Sequence, residues 1–87
     1  MTDFARRYAA ALETGIGSTL GLTDEEAAAV LDLARHVAHA TERLNAPLAS
    51  YVAGKFVLDR TRAGVPVGEA LEQARAAVER TLGKQER

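Results

Sequence analysis

The chain has 87 residues, a formal net charge of −1 and no cysteine. A chain of this length forms one domain with a thin core, because a 60-residue domain buries only about 60% of its unfolded surface. The lack of cysteine excludes disulfides, a thiolate nucleophile and thiolate metal ligands. The sequence has no signal-peptide pattern and no apolar run of about 18 residues. We therefore expect a cytoplasmic protein that does not bind a membrane.

The hydrophobic periodicity predicts an all-α fold, a compact bundle of four helices. We expect one domain over residues 1–87, with its core in residues 3–82 and a frayed tail in residues 83–87. The first helix is predicted from Asp3 to Glu13, since Phe4, Tyr8 and Ala11 recur at helical spacing. Glycines at positions 15, 17 and 21 then end the helix and form a flexible connection.

The second helix has the clearest start signal in the chain. Thr23 followed by Glu26 fits a capping box, in which each side chain bonds the backbone amide of the other residue. We predict this helix from Asp24 to Arg43, with apolar side chains on one broad arc and polar ones on the other.

The third helix is predicted to begin at Pro47 and to end near Ala63, with Asn45 close enough to help cap its start. Its main apolar arc consists of Ala49, Val52, Ala53, Phe56 and Val57. A second stripe consists of Leu48, Tyr51, Lys55, Leu58 and Arg62. A helix with two such surfaces is either buried at the centre of the bundle or shared with a partner.

The last helix is predicted from Val67 to about Leu82. Gly64 can adopt the positive φ that ends the preceding helix, and Pro66 opens the new segment. Arg75 is placed to pair with Glu72 and Glu79 at i−3 and i+4 on the solvent side.

Four side chains of the second helix could bind a ligand: Asp32, His36, His39 and Arg43. They share one side of the predicted helix. Arg35 and Arg43 flank the histidines and would repel a cation, so we predict no metal and favour an anion. No cofactor is predicted. No catalytic residue is predicted either, because spacing reveals no shielded acid–base pair, and Ser18 and Ser50 lie in no nucleophile elbow.

Nucleic-acid binding is disfavoured. The junction between the second and third helices invites comparison with a helix-turn-helix motif. The helix that would read bases, however, carries Tyr51, Val52 and Phe56 where polar residues belong. The nearly neutral charge also lacks the clustered basic residues that such binding requires.

The stretch from Leu31 to His39, with Glu42-Arg43, Ala46-Pro47-Leu48 and Gly54, resembles a family of small helical domains of unknown function. Gly64, Glu69 and Ala70 match the end of the family's pattern, and the resemblance covers about Thr23 to Leu82. Members of that family are mainly actinobacterial and occur alone or near molybdopterin-guanine dinucleotide synthesis proteins. The resemblance implies a helical fold and, by neighbourhood, a link to molybdenum-cofactor metabolism.

We therefore predict a non-enzymatic accessory or protein-interaction module. The predicted interface is the second stripe of the third helix, and the expected partner is another protein or a second copy of the chain. The alternative is a small anionic-ligand-binding domain or an enzyme that uses His39 and Arg43.

Overall fold

The computed structural model describes residues 3–17 and 19–85, with side chains as far as residue 83. These residues form α1 (Asp3–Ile16), α2 (Asp24–Ala40), α3 (Asn45–Arg62) and α4 (Val67–Gln85). The described residues include no strand, which confirms the predicted all-α bundle of four helices. The last two residues of the predicted frayed tail, 86 and 87, lie outside the described residues. Within the described ranges, no helix has the length and hydropathy needed to cross a membrane.

The start of α2 confirms the predicted capping box. The backbone N–H of Glu26 donates to Thr23 Oγ1 at 3.0 Å, and the backbone N–H of Thr23 donates to Glu26 Oε1 at 2.8 Å. Two backbone donors that have no partner within the helix are thereby satisfied. The box fixes the point at which the preceding loop becomes helix.

The end of α2 comes earlier than predicted, at Ala40 rather than Arg43. Thr41 leaves helical geometry at φ −132°, ψ −130°. Its backbone N–H and its Oγ1 both donate to the carbonyl oxygen of Val37, at 2.9 and 2.7 Å. Thr81 makes the same side-chain bond inside α4 without ending that helix, so the backbone dihedral angles of Thr41, rather than its hydroxyl, end α2.

The start of α3 also differs from the prediction. The helix begins at Asn45, so Pro47 lies inside its first turn rather than at its first position. The proline is still tolerated there, because the first four N–H groups of a helix have no intrahelical acceptor. Asn45 does not cap α3; its Nδ2 donates instead to Thr41 Oγ1. At the other end, Gly64 has φ +95°, as predicted for the residue that follows the helix.

The core lies where α2, α3 and α4 pack against one another. The buried side chains among the described residues are Ala27, Leu33, Val37, Ala70 and Ala74. Leu33, Val37 and Ala74 form one cluster, against which Ala49 and Ala53 of α3 and Val78 of α4 pack. Because most of these residues are alanine, the helices are held by a small apolar volume.

Helix α1 stands apart from this core. No Cα atom of α1 lies within 8 Å of a Cα atom of another helix. The side chain of Arg6 links α1 to the start of α2, where its Nε donates to the Leu22 carbonyl at 3.3 Å and its Nη2 pairs with Asp24. The molecule is therefore elongated, with extents of 46 × 29 × 20 Å.

Candidate interaction groove

An open groove of about 760 Å³ runs between the C-terminal half of α2, the N-terminal half of α3 and the C-terminal half of α4. Leu33, Val37 and Ala74 of the core form its floor together with Ala77. Leu48, Val52 and Phe56 line it along α3, and Val78 and Leu82 line it along α4. The groove exists because alanines fill the centre of the bundle and leave the larger side chains at the rim.

The α3 wall is the most exposed part of the groove. Leu48, Val52 and Phe56 recur every four residues and therefore lie on one side of the helix. They are 64%, 62% and 38% exposed. Complete burial of an aliphatic or aromatic side chain of this size is worth roughly 1.5 to 3 kcal/mol. The wall therefore offers a partner a substantial gain in free energy.

Polar groups contribute little chemistry to this site. Thr41 Oγ1 donates to the Val37 carbonyl, and Thr81 Oγ1 donates to the Ala77 carbonyl at 2.9 Å, so both hydroxyls are bound to their own helices. Arg80 and Gln73 lie at the edge. Among the described residues that line the groove, none carries a carboxylate or an imidazole. The arrangement is suited to binding an apolar surface and provides no acid–base pair.

The predicted interface residues divide into two sets. Leu48 lines the groove, whereas Tyr51, Lys55, Leu58 and Arg62 lie on the adjacent exposed side of α3. The Lys55 ammonium lies 5.0 Å from the centroid of the Tyr51 ring, a cation–π contact within the stripe. None of residues 45–62, all of which the structure describes, is buried. Of the two alternatives for the third helix, burial at the centre of the bundle does not agree with this exposure, and an interface with a partner stays a prediction.

Two residues that line the groove were not among the predicted interface residues. Val52 and Phe56 belong to the main apolar arc of the third helix and not to the stripe predicted as the interface, yet they lie in the groove and remain exposed. The four-residue spacing that joins them to Leu48 was the available signal. Spacing shows which side chains share a face of a helix, but it does not show whether another helix covers that face.

The predicted ligand-binding residues lie outside the groove. Asp32, His36 and His39 are exposed on α2, and Arg43 is exposed in the turn after it. Because α2 ends at Ala40, the expected helical spacing between His39 and Arg43 is not kept. Asp32 lies 3.8 Å from Arg35 in a weak surface pair. The described residues contain no group of three His, Cys, Asp or Glu side chains placed to hold a metal ion. Anion binding at these residues stays a prediction.

A network of ion pairs lies on the solvent side of α4. Arg75 donates to Glu72 at 2.7 and 3.1 Å and to Glu79 at 3.1 Å, which confirms the predicted pairing. The hydrogen bonds from Arg75, and then its charge, lower the pKa of Glu72. The same contacts raise the pKa of Arg75 above its ordinary value. These are exposed surface pairs that support the helix.

Comparison with known proteins identifies the family. A domain of unknown function, DUF6457, matches residues 1–86. The chain belongs to this family. No curated protein and no solved structure matches the chain.

The family match includes more of the chain than the stretch from Thr23 to Leu82. It spans all four helices and therefore includes α1, although α1 does not pack against the core of this molecule. Helix α1 is therefore part of the family's domain.

Proposed function

We propose that this domain is a non-enzymatic protein-interaction module that receives an apolar helix in the groove between α2, α3 and α4. The observation that carries the proposal is the exposed row of Leu48, Val52 and Phe56 above an alanine-rich floor. An amphipathic helix presents side chains at the same spacing and docks in grooves of this kind. The absence of acidic and imidazole side chains from the described lining supports binding rather than catalysis.

The stripe beside the groove extends the proposed interface. Tyr51, Lys55, Leu58 and Arg62 lie next to Leu48 on the exposed side of α3. Tyrosine and arginine are over-represented among the residues that dominate binding energy at interfaces. A helix seated in the groove would place its own flanking residues over this stripe.

The partner's identity is a separate part of the proposal. The link to molybdenum-cofactor metabolism rests on the genomic neighbourhood that the resemblance implies. Under this proposal, a protein of molybdopterin-guanine dinucleotide synthesis is a candidate partner. The same experiment that locates the interface can identify the partner.

A photocrosslinking amino acid at position 52 tests the proposal. We would replace Val52, in the groove, with benzoylphenylalanine in cells that produce the chain, and identify crosslinked polypeptides by mass spectrometry. Ala28 is exposed on α2 and does not line the groove, so the same replacement there is the matched control. We expect a polypeptide that crosslinks at position 52 but not at position 28. Equal crosslinking at both positions, or none at position 52, would contradict the proposal.

A further inference from the structure

The chain carries a second apolar surface without a partner, along α1. Phe4, Tyr8, Leu12 and Ile16 recur every four residues and are between 45% and 69% exposed. Within this row, the rings of Phe4 and Tyr8 stack on each other with centroids 6.3 Å apart. No Cα atom of α2, α3 or α4 lies within 8 Å of a Cα atom of α1, and all four side chains of the row are exposed. Helix α1 is therefore an amphipathic helix with its apolar side uncovered.

The two uncovered surfaces of the chain match in spacing, and the α1 row is long enough to cover the whole α3 wall. Both the α1 row and the α3 wall repeat every four residues, which is the arrangement that lets the side chains of two helices interdigitate. From Phe4 to Ile16 the row extends about 18 Å at 1.5 Å per residue. The α3 wall from Leu48 to Phe56 extends about 12 Å by the same measure, and residues 41 and 45 continue the groove beyond Leu48.

We propose that the helix received by the groove is α1 of a second copy of this chain, so that two copies exchange α1 helices in a symmetric dimer. The inference rests on the proposed function, because it names the occupant of the same groove. When two copies exchange α1 reciprocally, the two contacts are identical and are related by a twofold axis, so the assembly closes at two copies.

The links of α1 to its own chain favour a second copy over the same chain. Arg6 is held at Asp24, the first residue of α2. An antiparallel α1 in its own groove would place Arg6 near the Thr41 end of α2, about 25 Å from Asp24 at 1.5 Å per residue. The connection is also folded back, since the Glu13 carboxylate accepts a hydrogen bond from the backbone N–H of Leu20. In this conformation both contacts place α1 beside the start of α2, and its apolar row remains uncovered.

The exposed area is sufficient for such an exchange. The chain exposes 6615 Å², whereas a compact monomer of 9.3 kDa exposes about 5,000 Å². The excess of roughly 1,600 Å² is about twice the 800 Å² that each partner of a stable complex typically buries. The radius of gyration, 13.9 Å, also exceeds the roughly 12 Å expected for a compact domain of this length. Docking of α1 in the groove would reduce this excess.

Disulfide trapping in the full chain tests the inference, since the natural sequence has no cysteine. We would prepare the double variant Leu12→Cys and Val52→Cys in ¹⁴N and ¹⁵N forms, mix the two, oxidise the mixture and analyse the linked peptides by mass spectrometry. The variant Leu12→Cys with Ala28→Cys is the matched control. We expect a 12–52 link that joins ¹⁴N to ¹⁵N peptides, and no corresponding 12–28 link.

Light scattering on the wild-type chain, which has no cysteine, completes the test. We expect a mass about twice 9.3 kDa, which Leu12→Asp and Val52→Asp each reduce to the monomer mass. Circular dichroism checks that both variants stay helical, as expected because the two side chains are exposed. A monomeric wild type with a 12–52 link only within single chains would overturn the inference in favour of closure by the chain's own α1.

A monomeric wild type without any 12–52 link would also overturn the inference, but it would not decide the proposed function. In that case, crosslinking of another protein at position 52 upholds the interaction module and makes that protein the occupant. The absence of such crosslinking would contradict both the proposed function and the proposed α1 exchange. The two failures are therefore distinguishable.

Discussion

The side-chain amide of Asn45 donates a hydrogen bond of 3.1 Å to Thr41 Oγ1 and so joins the end of α2 to the start of α3. Thr41 Oγ1 itself donates to the Val37 carbonyl at 2.7 Å. Both residues line one end of the groove. This short chain of hydrogen bonds therefore connects α2 to α3 at one end of the proposed binding surface.

The first prediction concerns this junction. Asn45→Ala removes the donor to Thr41, and we expect the free energy of unfolding to fall by about 0.5 to 1 kcal/mol, the usual net value of one hydrogen bond. Urea unfolding followed by circular dichroism measures the change. Gln73→Ala, at another edge of the groove, is the control and should change stability by less. Equal effects would show that the junction contributes nothing specific.

The second prediction concerns the capping box. Thr23→Ala removes the acceptor of the Glu26 N–H and should cost about 1 kcal/mol of stability. Glu26→Gln should cost much less, because glutamine can still accept from the Thr23 N–H. Thermal unfolding compares the two variants with Thr19→Ala, an exposed change in the preceding loop. A silent Thr23→Ala would contradict the role of the box.

The third prediction separates the stripe on α3 from the core. Leu58 is 51% exposed and Leu33 is 3% exposed. We expect Leu58→Asp to leave a folded helical chain with weakened association, whereas Leu33→Asp buries an unpaired charge and should unfold it. Circular dichroism and light scattering on the same samples measure both properties. Unfolding by Leu58→Asp from a monomeric parent would refute the interface at the stripe.

The fourth prediction concerns pH. Because Arg75 lowers the pKa of Glu72 in the folded chain, the carboxylate contributes stability above its unfolded pKa and loses it as pH falls through the lowered folded pKa. We expect Arg75→Gln to raise the pKa of Glu72 towards its ordinary value. NMR titration of the Glu72 side-chain carboxyl measures the shift. An unchanged titration curve would mean that the pair does not form in solution.

The fifth prediction tests the alternative of an anion site at His39 and Arg43. If the groove is the functional surface, phosphate should raise the melting temperature of the wild type and of Arg43→Ala by equal amounts. A ligand that binds only the folded state stabilises it in proportion to its occupancy. A phosphate-dependent rise that is lost in both Arg43→Ala and His39→Ala would instead establish the anion site.

Local chemistry accounts for most of what could be predicted from the sequence. The capping box at Thr23 and the positive φ at Gly64 depend on neighbouring residues, and both were found where predicted. The end of α2 was predicted three residues too late, because polar periodicity continues through Arg43 while the backbone leaves helical geometry at Thr41.

The groove could not be predicted in the same way. The exposure of Val52 and Phe56 depends on where α1 lies, which is a long-range property of the chain. The amphipathic row of α1 is readable in the sequence, but the position of α1 relative to the other helices is not. A periodic pattern identifies a surface that needs covering without naming what covers it.

The small core has a consequence for the amount of this protein in a cell. Ala49 and Ala53 pack against the core cluster and also line the groove, so one set of contacts serves both folding and binding. An occupant present at about 100 times its dissociation constant would add roughly 2.7 kcal/mol to the stability of the chain. We expect chains with an empty groove to be degraded faster than occupied ones, so that abundance follows the supply of the occupant.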